Sequence, residues 1–318
     1  MKKHKICKIL LVILAIFLCV AFYELLGICV AYKKQPEVSN TTKKETKNGS
    51  WNECSENTER AVIIEKNPEA LLQRVRLIKN AKKEIILSTF AFQSDESGKL
   101  ILGALHDAAD RGVHIRLLVD GMESWIDMEG NPYFYGLSSH ENVEIKLYNK
   151  ANPLKPWKMM GRMHDKYLIA DGKRYILGGR NTYNYFLGDF PGHKNYDRDV
   201  LVVCDEPEKE NSVNQLLEYF ETIWEQEDSG YFHDNKKLAN RKSVKNAVLE
   251  LQNGYQKYFE ENKERICDTD YTDETFETEK IALVSNPIHT GSKEPVVWYQ
   301  LGELMKNAKN RVKIHTPY

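Results

Sequence analysis

The sequence predicts an α/β fold: a mixed, mostly parallel sheet flanked by helices, preceded by an N-terminal transmembrane helix. Three observations carry that expectation. Strand and helix periodicities alternate from residue 61 onward, an apolar run fills residues 9–23, and residues 162–181 read as a β-hairpin crowded with polar chemistry.

The apolar run 9–23 is interrupted by Glu24 and resumes over 25–32. Together the two stretches reach the roughly 20 residues that cross a bilayer, so residues 1–32 are expected to be a membrane anchor. Lys2, Lys3, Lys5 and Lys8 precede the segment, and Lys33 and Lys34 follow it. The short basic N-terminus favours a cytoplasmic start, a single pass through the cell membrane and an extracytoplasmic catalytic part. A cleaved signal peptide is the competing reading, against which stand the length of the run and its poor small-residue cleavage site. Residues 33–59, rich in Lys, Thr, Asn, Ser and Glu, are expected to be a flexible linker. Cys7, Cys19 and Cys29 fall in the anchor, while Cys54, Cys204 and Cys267 lie beyond it with no CxxC spacing. Neither a zinc site nor a disulfide framework is implied, although a Cys54–Cys267 bridge is permitted.

Residues 60–230 carry the main domain. Leu71, Leu72, Val75 and Ile78 mark a helix over 68–82. A buried strand is expected over 84–92, a helix over 100–111 and strands over 113–119 and 143–148. Leu216, Leu217, Phe220, Ile223 and Trp224 mark a closing helix over 211–226. Residues 231–280 read as a helical, then acidic, linker with an exposed loop at 268–279. In the tail, Leu304-Met-Lys-Asn-Ala-Lys and the apolar residues after it repeat the pattern of Leu77-Ile-Lys-Asn-Ala-Lys. Residues 281–318 are therefore expected to begin a second, similar unit.

The 162–181 hairpin holds the chemistry. His164 and Lys166 are two apart, so on a strand they share a face. Asp171-Gly172 makes the turn, and Gly178-Gly179 allows a close approach of the backbone before Asn181. An imidazole beside an ammonium is a poor structural pair, because neither neutralises the other; a phosphodiester site explains both. The formal net charge is −1 over 318 residues, with no global basic excess pointing to nucleic acid. Locally, Lys150, Lys155, Lys158, Arg162, Lys166, Lys173, Arg174 and Arg180 crowd this stretch, which suits an anionic group. Trp157, Met159 and Met160 are candidates to touch acyl chains or to fill a core.

The pattern His-x-Lys-x4-Asp-x6-Gly-Gly-x-Asn is similar to the His-Lys-Asp (HKD) signature of the phospholipase D superfamily. Arg-Met-His-Asp-Lys, Gly-Gly-Arg-Asn, Ser94-Asp95-x-x-Gly98 and Ile115-Arg-Leu-Leu-Val-Asp120-Gly look most like bacterial cardiolipin synthases. The resemblance implies two such lobes facing each other. One histidine would form a phosphohistidine while the other protonates the leaving alcohol, with no metal or other cofactor required. This chain is expected to stop before the second motif, so the second lobe would come from residues beyond it or from a homodimer.

On that resemblance His164 is the candidate nucleophile, Lys166 and Asn181 hold phosphate oxygens, and Asp171 orders the turn with electrostatic support as a secondary role. Asp199 is the candidate carboxylate behind the histidine, with Asp197 as an alternative. The implied function is a membrane-anchored phosphatidyltransferase acting on phosphatidylglycerol and a second phospholipid. The alternatives are a phospholipase D or nuclease that hydrolyses phosphodiesters, and a catalytically incomplete single-motif protein.

Overall fold

A computed structural model describes residues 2–49, 59–204, 206, 211–233 and 235–314. Helix α1 (Lys2–Ala31) is the apolar N-terminal helix, and its residues from Lys5 to Ala31 have the length and composition to cross a membrane. Helix α2 (Asn40–Asn48) follows. Strand β1 (Glu59–Ile64), helix α3 (Asn67–Asn80), strand β2 (Glu84–Thr89), helix α4 (Glu96–Asp110) and strand β3 (His114–Asp120) open the domain. Helices α5 (Gly121–Asp127) and α6 (Pro132–Ser138) lead to β4 (Val143–Tyr148), and β5 (Lys166–Ala170) and β6 (Arg174–Gly178) form the hairpin. Strand β7 (Asp199–Cys204), helix α7 (Ser212–Trp224), strand β8 (Ser229–Tyr231), helices α8 (Lys242–Glu261) and α9 (Lys263–Cys267), strand β9 (Phe276–Glu277) and helix α10 (Val296–Asn307) complete it.

The nine strands form one mixed sheet in the order β8-β4-β3-β2-β5-β6-β7-β1-β9. Only β2–β3 and β3–β4 pair in parallel, and the other six neighbouring pairs are antiparallel. The expectation of a mostly parallel sheet is therefore corrected. Parallel neighbours need a long crossover, and only α4 and the α5–α6 pair run between adjacent strands. Period-two alternation splits the core over the two faces. Ile85, Leu87, Ile115, Leu117, Leu168 and Leu201 pack under α3, α4, α6 and α8, while Ile86, Leu118, Tyr167, Ile169 and Val202 pack under α7.

Three segments differ from expectation. Within residues 231–280, α8 and Tyr271 pack onto one side of the core. Val244, Ala247, Leu251, Tyr255 and Phe259 form a buried stripe at helical spacing on α8. Gly103 of α4 lies so close to Leu251 and Tyr255 that a Cβ there would collide with both. Within the acidic loop, Tyr271 is buried under the Arg76 guanidinium, 3.9 Å from its ring centroid, so this loop is pinned rather than free. The second departure is in the 33–59 spacer. There α2 forms because Ser39 accepts from the Thr42 amide at one end and Gly49 takes a left-handed φ of 74° at the other. Glu294 accepts from both Ser39 N–H and Thr42 Oγ1, docking α2 beside α10.

The third departure is in the tail. Helix α10 supplies the helical half of the repeat with α3, and residues 311–314 are exposed and belong to no strand among the described residues. Residues 315–318 and Cys54 lie outside the described residues, so the opening strand of a second unit and the Cys54–Cys267 bridge do too.

At the hairpin tip Asp171 adopts φ 55°, a left-handed conformation that Asp tolerates. Its carboxylate accepts backbone N–H bonds from Lys82, Lys83 and Glu84 at 2.7–3.1 Å. The tip is thereby tied to the turn between α3 and β2. Asp171→Ala strands three backbone donors and is expected to cost about 2–3 kcal/mol. Urea unfolding would show this as a lower midpoint at unchanged slope; a midpoint equal to wild type would show that the turn stands without it.

Candidate active site

The site lies at one end of the sheet, where β2, β3, β4 and β6 finish and β5 and β7 begin. Lys166 opens β5 opposite Thr89, and His164 lies two residues before the strand rather than on it. The Phe90 ring, just beyond β2, seats the local cations. It stands 4.8 Å edge-on from the His164 ring, and Lys166 Nζ and the Arg162 guanidinium each lie 5.1 Å from its centroid. Lys166 is 5% exposed and donates to the His164 carbonyl at 2.7 Å, which fixes the two residues relative to each other. A cleft of about 370 Å³ opens here, lined by Arg162, His164, Lys166 and Tyr219 on one side and by Asn286 and Lys293 on the other.

Electrostatics separate the two groups. Burial, then the Lys166 charge, pushes the His164 imidazole below its ordinary 6.5, with Asp120 acting the other way. The ring is therefore neutral at neutral pH, with a lone pair available. Burial pushes the Lys166 ammonium down to about 8, and Asp165, Asp197 and Asp120 hold it up. It still carries its charge at pH 7. A neutral imidazole beside a charged ammonium can offer a nucleophile and an anion-binding group to the same phosphate. Between them in sequence, Asp165 accepts from Tyr219 Oη at 2.8 Å, and burial raises its carboxyl above the usual range.

The remaining sequence candidates sit elsewhere. Asp171 closes the far end of β5, roughly 16 Å along the strand from Lys166 at about 3.3 Å per residue. It belongs to the turn and not to the cleft, so its electrostatic role is set aside. Asn181 is buried behind Phe90, its amide oxygen accepting the Ala91 N–H at 3.3 Å, and it does not line the cleft. Asp199 does not reach the histidine. Its side chain is fully buried and paired with Arg74 at 2.9 Å and Arg180 at 3.2 Å. Arg180 also donates to Asn67 and to the Ile64 and Glu65 carbonyls, so this carboxylate braces β7 against α3 and β1.

Gly178 is needed for that brace, because a Cβ there would strike the Asp199 carboxylate. Gly179 makes the same room for Asp197. The glycine pair thus admits two acids of the protein. The expected basic crowd also disperses: Lys158 pairs with Asp228, Arg180 is buried with Asp199, and Arg174 stacks over Tyr271.

Among the described residues no group hydrogen-bonds the His164 ring. The carboxylate that organises the site is instead Asp120, which is not among the site residues expected from the sequence. At 1% exposure it accepts from Arg162 Nε at 2.8 Å and the Met163 N–H at 3.0 Å, and it caps α5 through Met122 and Glu123. It fixes the backbone immediately before His164. In the sequence, an acid that closes an apolar strand directly before Gly121 is the signal that marks it.

Two outcomes follow from these assignments. Lys166→Met removes the second cause of the low His164 value, so the imidazole NMR titration midpoint is expected to rise towards 6.5; an unchanged midpoint would contradict the coupling. Arg74→Ala leaves Asp199 buried with half its compensation and is expected to cost about 3–5 kcal/mol in urea unfolding. A loss within about 0.5 kcal/mol, the range of ordinary surface changes, would contradict the bracing role.

Residues 74–224 match the family model described as "Cardiolipin synthase, PLD-like domain". An uncharacterized protein of Helicobacter pylori strain J99 is 30% identical over 212 residues, covering 62% of this chain and 39% of that protein. Cardiolipin synthase C of Escherichia coli K12 is 29% identical over 171 residues, 49% of this chain and 34% of that one. Cardiolipin synthase 1 of Staphylococcus aureus MRSA252 is 34% identical over 117 residues, 36% of this chain and 23% of that one. The matched part of the chain thus spans 39% or less of the length of these relatives. His164, Lys166, Asp120 and strands β3 and β5 all lie inside the matched region, which is similar to a phospholipase D-like domain of the cardiolipin synthase kind.

Proposed function

We propose that the protein is a membrane-anchored phosphatidyltransferase that moves a phosphatidyl group onto phosphatidylglycerol, with His164 as the attacking residue. The observation that carries this reading is that His164 and Lys166 line one cleft, tied to each other by the bond from Lys166 Nζ to the His164 carbonyl. The names of the matched cardiolipin synthases support the lipid substrate, and helix α1 supports a location where such lipids are found.

In this reading the His164 lone pair attacks phosphorus, a phosphohistidine forms, and the head-group alcohol of the donor leaves with a proton from a second histidine. That second group belongs to another lobe or another copy of the chain. The acceptor hydroxyl of phosphatidylglycerol then displaces His164 by the reverse path. Lys166 neutralises the non-bridging oxygens in both steps, and Lys293 across the cleft adds a second cation from the C-terminal segment. Asn181 acts at one remove, holding the Ala91 backbone and with it the Phe90 seat. Asp120 acts as a positioning residue through Arg162 and Met163.

His164→Ala in the complete protein is expected to abolish transfer from labelled phosphatidylglycerol while leaving circular dichroism and the unfolding midpoint unchanged. Near wild-type turnover in that variant, or cleavage of single-stranded DNA with no lipid transfer, would overturn the reading. Turnover is also expected to fall as pH rises through about 8, where Lys166 loses its proton. On the acid side it should persist below 6.5, because the depressed His164 value keeps the ring neutral there. A rate still climbing above pH 9 would contradict the role of the ammonium.

A further inference from the structure

Large apolar side chains stand in water on one side of the domain. On α5, Trp125 is 69% and Ile126 68% exposed; on the loop spanning 150–160, Leu154 is 76%, Met160 56% and Trp157 46% exposed. The two segments are neighbours: Trp125 and Pro153 line one cleft, and Met122, Lys155 and Met159 line the next, with Lys150 and Ala151 shared by both. A patch of this kind on a folded domain marks an interaction surface.

Helix α1 says what covers it. The helix packs directly on this loop, with Tyr23 Oη donating to the Leu154 carbonyl at 3.0 Å and Gly27 set against Pro156. The part from Lys5 to Tyr23 projects free of the domain and is ~27 Å long at 1.5 Å per residue, close to the thickness of a hydrocarbon core. A bilayer crossed by that part has its surface at the level of Leu154. The patch has the composition of an interfacial belt, with tryptophans and aliphatic side chains beside lysines. Lys155 and Lys150 are exposed, and Lys150 donates to the Tyr231 carbonyl. Of the acids nearby, Glu123 pairs with Arg162 and Asp127 bonds Gln93, while Glu129, 47% exposed at the edge of the Trp125 cleft, accepts from Tyr135 Oη.

We infer that α5 and the 150–160 loop form a docking face seated in the interface of an anionic bilayer, at the depth set by α1. The inference rests on α1 as a membrane span and deepens the reading of the site by stating how it meets its lipid. The face and the cleft are continuous, because the loop runs on through Arg162 to His164, and Arg162 bonds both Asp120 and Glu123 at the start of α5. Lipid entering from the interface at Trp125 and Trp157 therefore meets Arg162 before it reaches His164.

The test uses the full chain reconstituted into phosphatidylglycerol/phosphatidylcholine vesicles whose acyl chains are brominated near the head group, with tryptophan fluorescence as the readout. Quenching is expected in the wild type and is expected to fall by about half or more in the Trp125→Phe/Trp157→Phe double variant, as interfacial tryptophans should. Lys150→Glu/Lys155→Glu should lower quenching in the anionic vesicles and leave it unchanged in pure phosphatidylcholine. Equal quenching with and without Trp125 and Trp157 would overturn the docking face. Alkaline carbonate extraction separates the two claims. Protein that stays in the membrane without this quenching would refute the face and keep the anchor, whereas protein released by carbonate yet quenched in neutral buffer would do the reverse.

Discussion

A single buried carboxylate, Asp120, joins the parts of this molecule that matter for its chemistry. It ends β3, caps α5, accepts the Met163 N–H and holds Arg162. Left without these partners, a buried carboxylate would cost several kcal/mol. Each partner is therefore held in place: the strand end, the helix beside the exposed tryptophan, and the backbone leading into His164. The position of His164 relative to the sheet is a consequence of satisfying that one charge. The Arg74–Asp199–Arg180 cluster does the same for the other end of the site, fixing β7 beside Gly178.

The charges near His164 divide into those already compensated and those left over. Arg162, Arg180 and Arg74 spend their charge on buried acids, and Lys158 on Asp228. Among the described residues, Lys166 Nζ bonds a backbone carbonyl, with acids acting on it through the field. A cation arranged in this way retains attraction for an anion that enters the cleft. The same economy makes His164 neutral: burial and the neighbouring ammonium both disfavour its proton.

Much of this was legible in the sequence, for identifiable reasons. The hairpin 166–178 and the strand 143–148 follow from alternation and from Asp171-Gly172, which are local signals. The pairing direction of the sheet was not legible, because antiparallel and parallel strands carry the same apolar residues and differ only in what connects them. Helix α2 was hidden by its polar composition, although Ser39 and Gly49 mark its ends. Asp199 looked like the partner of a histidine because it precedes an apolar strand. Its real partners, Arg74 and Arg180, are 125 and 19 positions away, and nothing local announces a pairing over the longer distance. Asp120 is hidden for the same reason: its burial depends on Arg162 arriving from beyond β4.

The central claim is that His164 is the nucleophile. It is tested most directly with a phosphodiester carrying a p-nitrophenyl leaving group, which departs without a proton donor and so needs no second histidine. After incubation at neutral pH and an alkaline quench, which preserves phosphohistidine, mass spectrometry of the digested protein reads the site of attachment. The account predicts a phosphoryl adduct on the peptide holding His164, absent in His164→Ala. An adduct that persists in that variant, or none in the wild type, would contradict it.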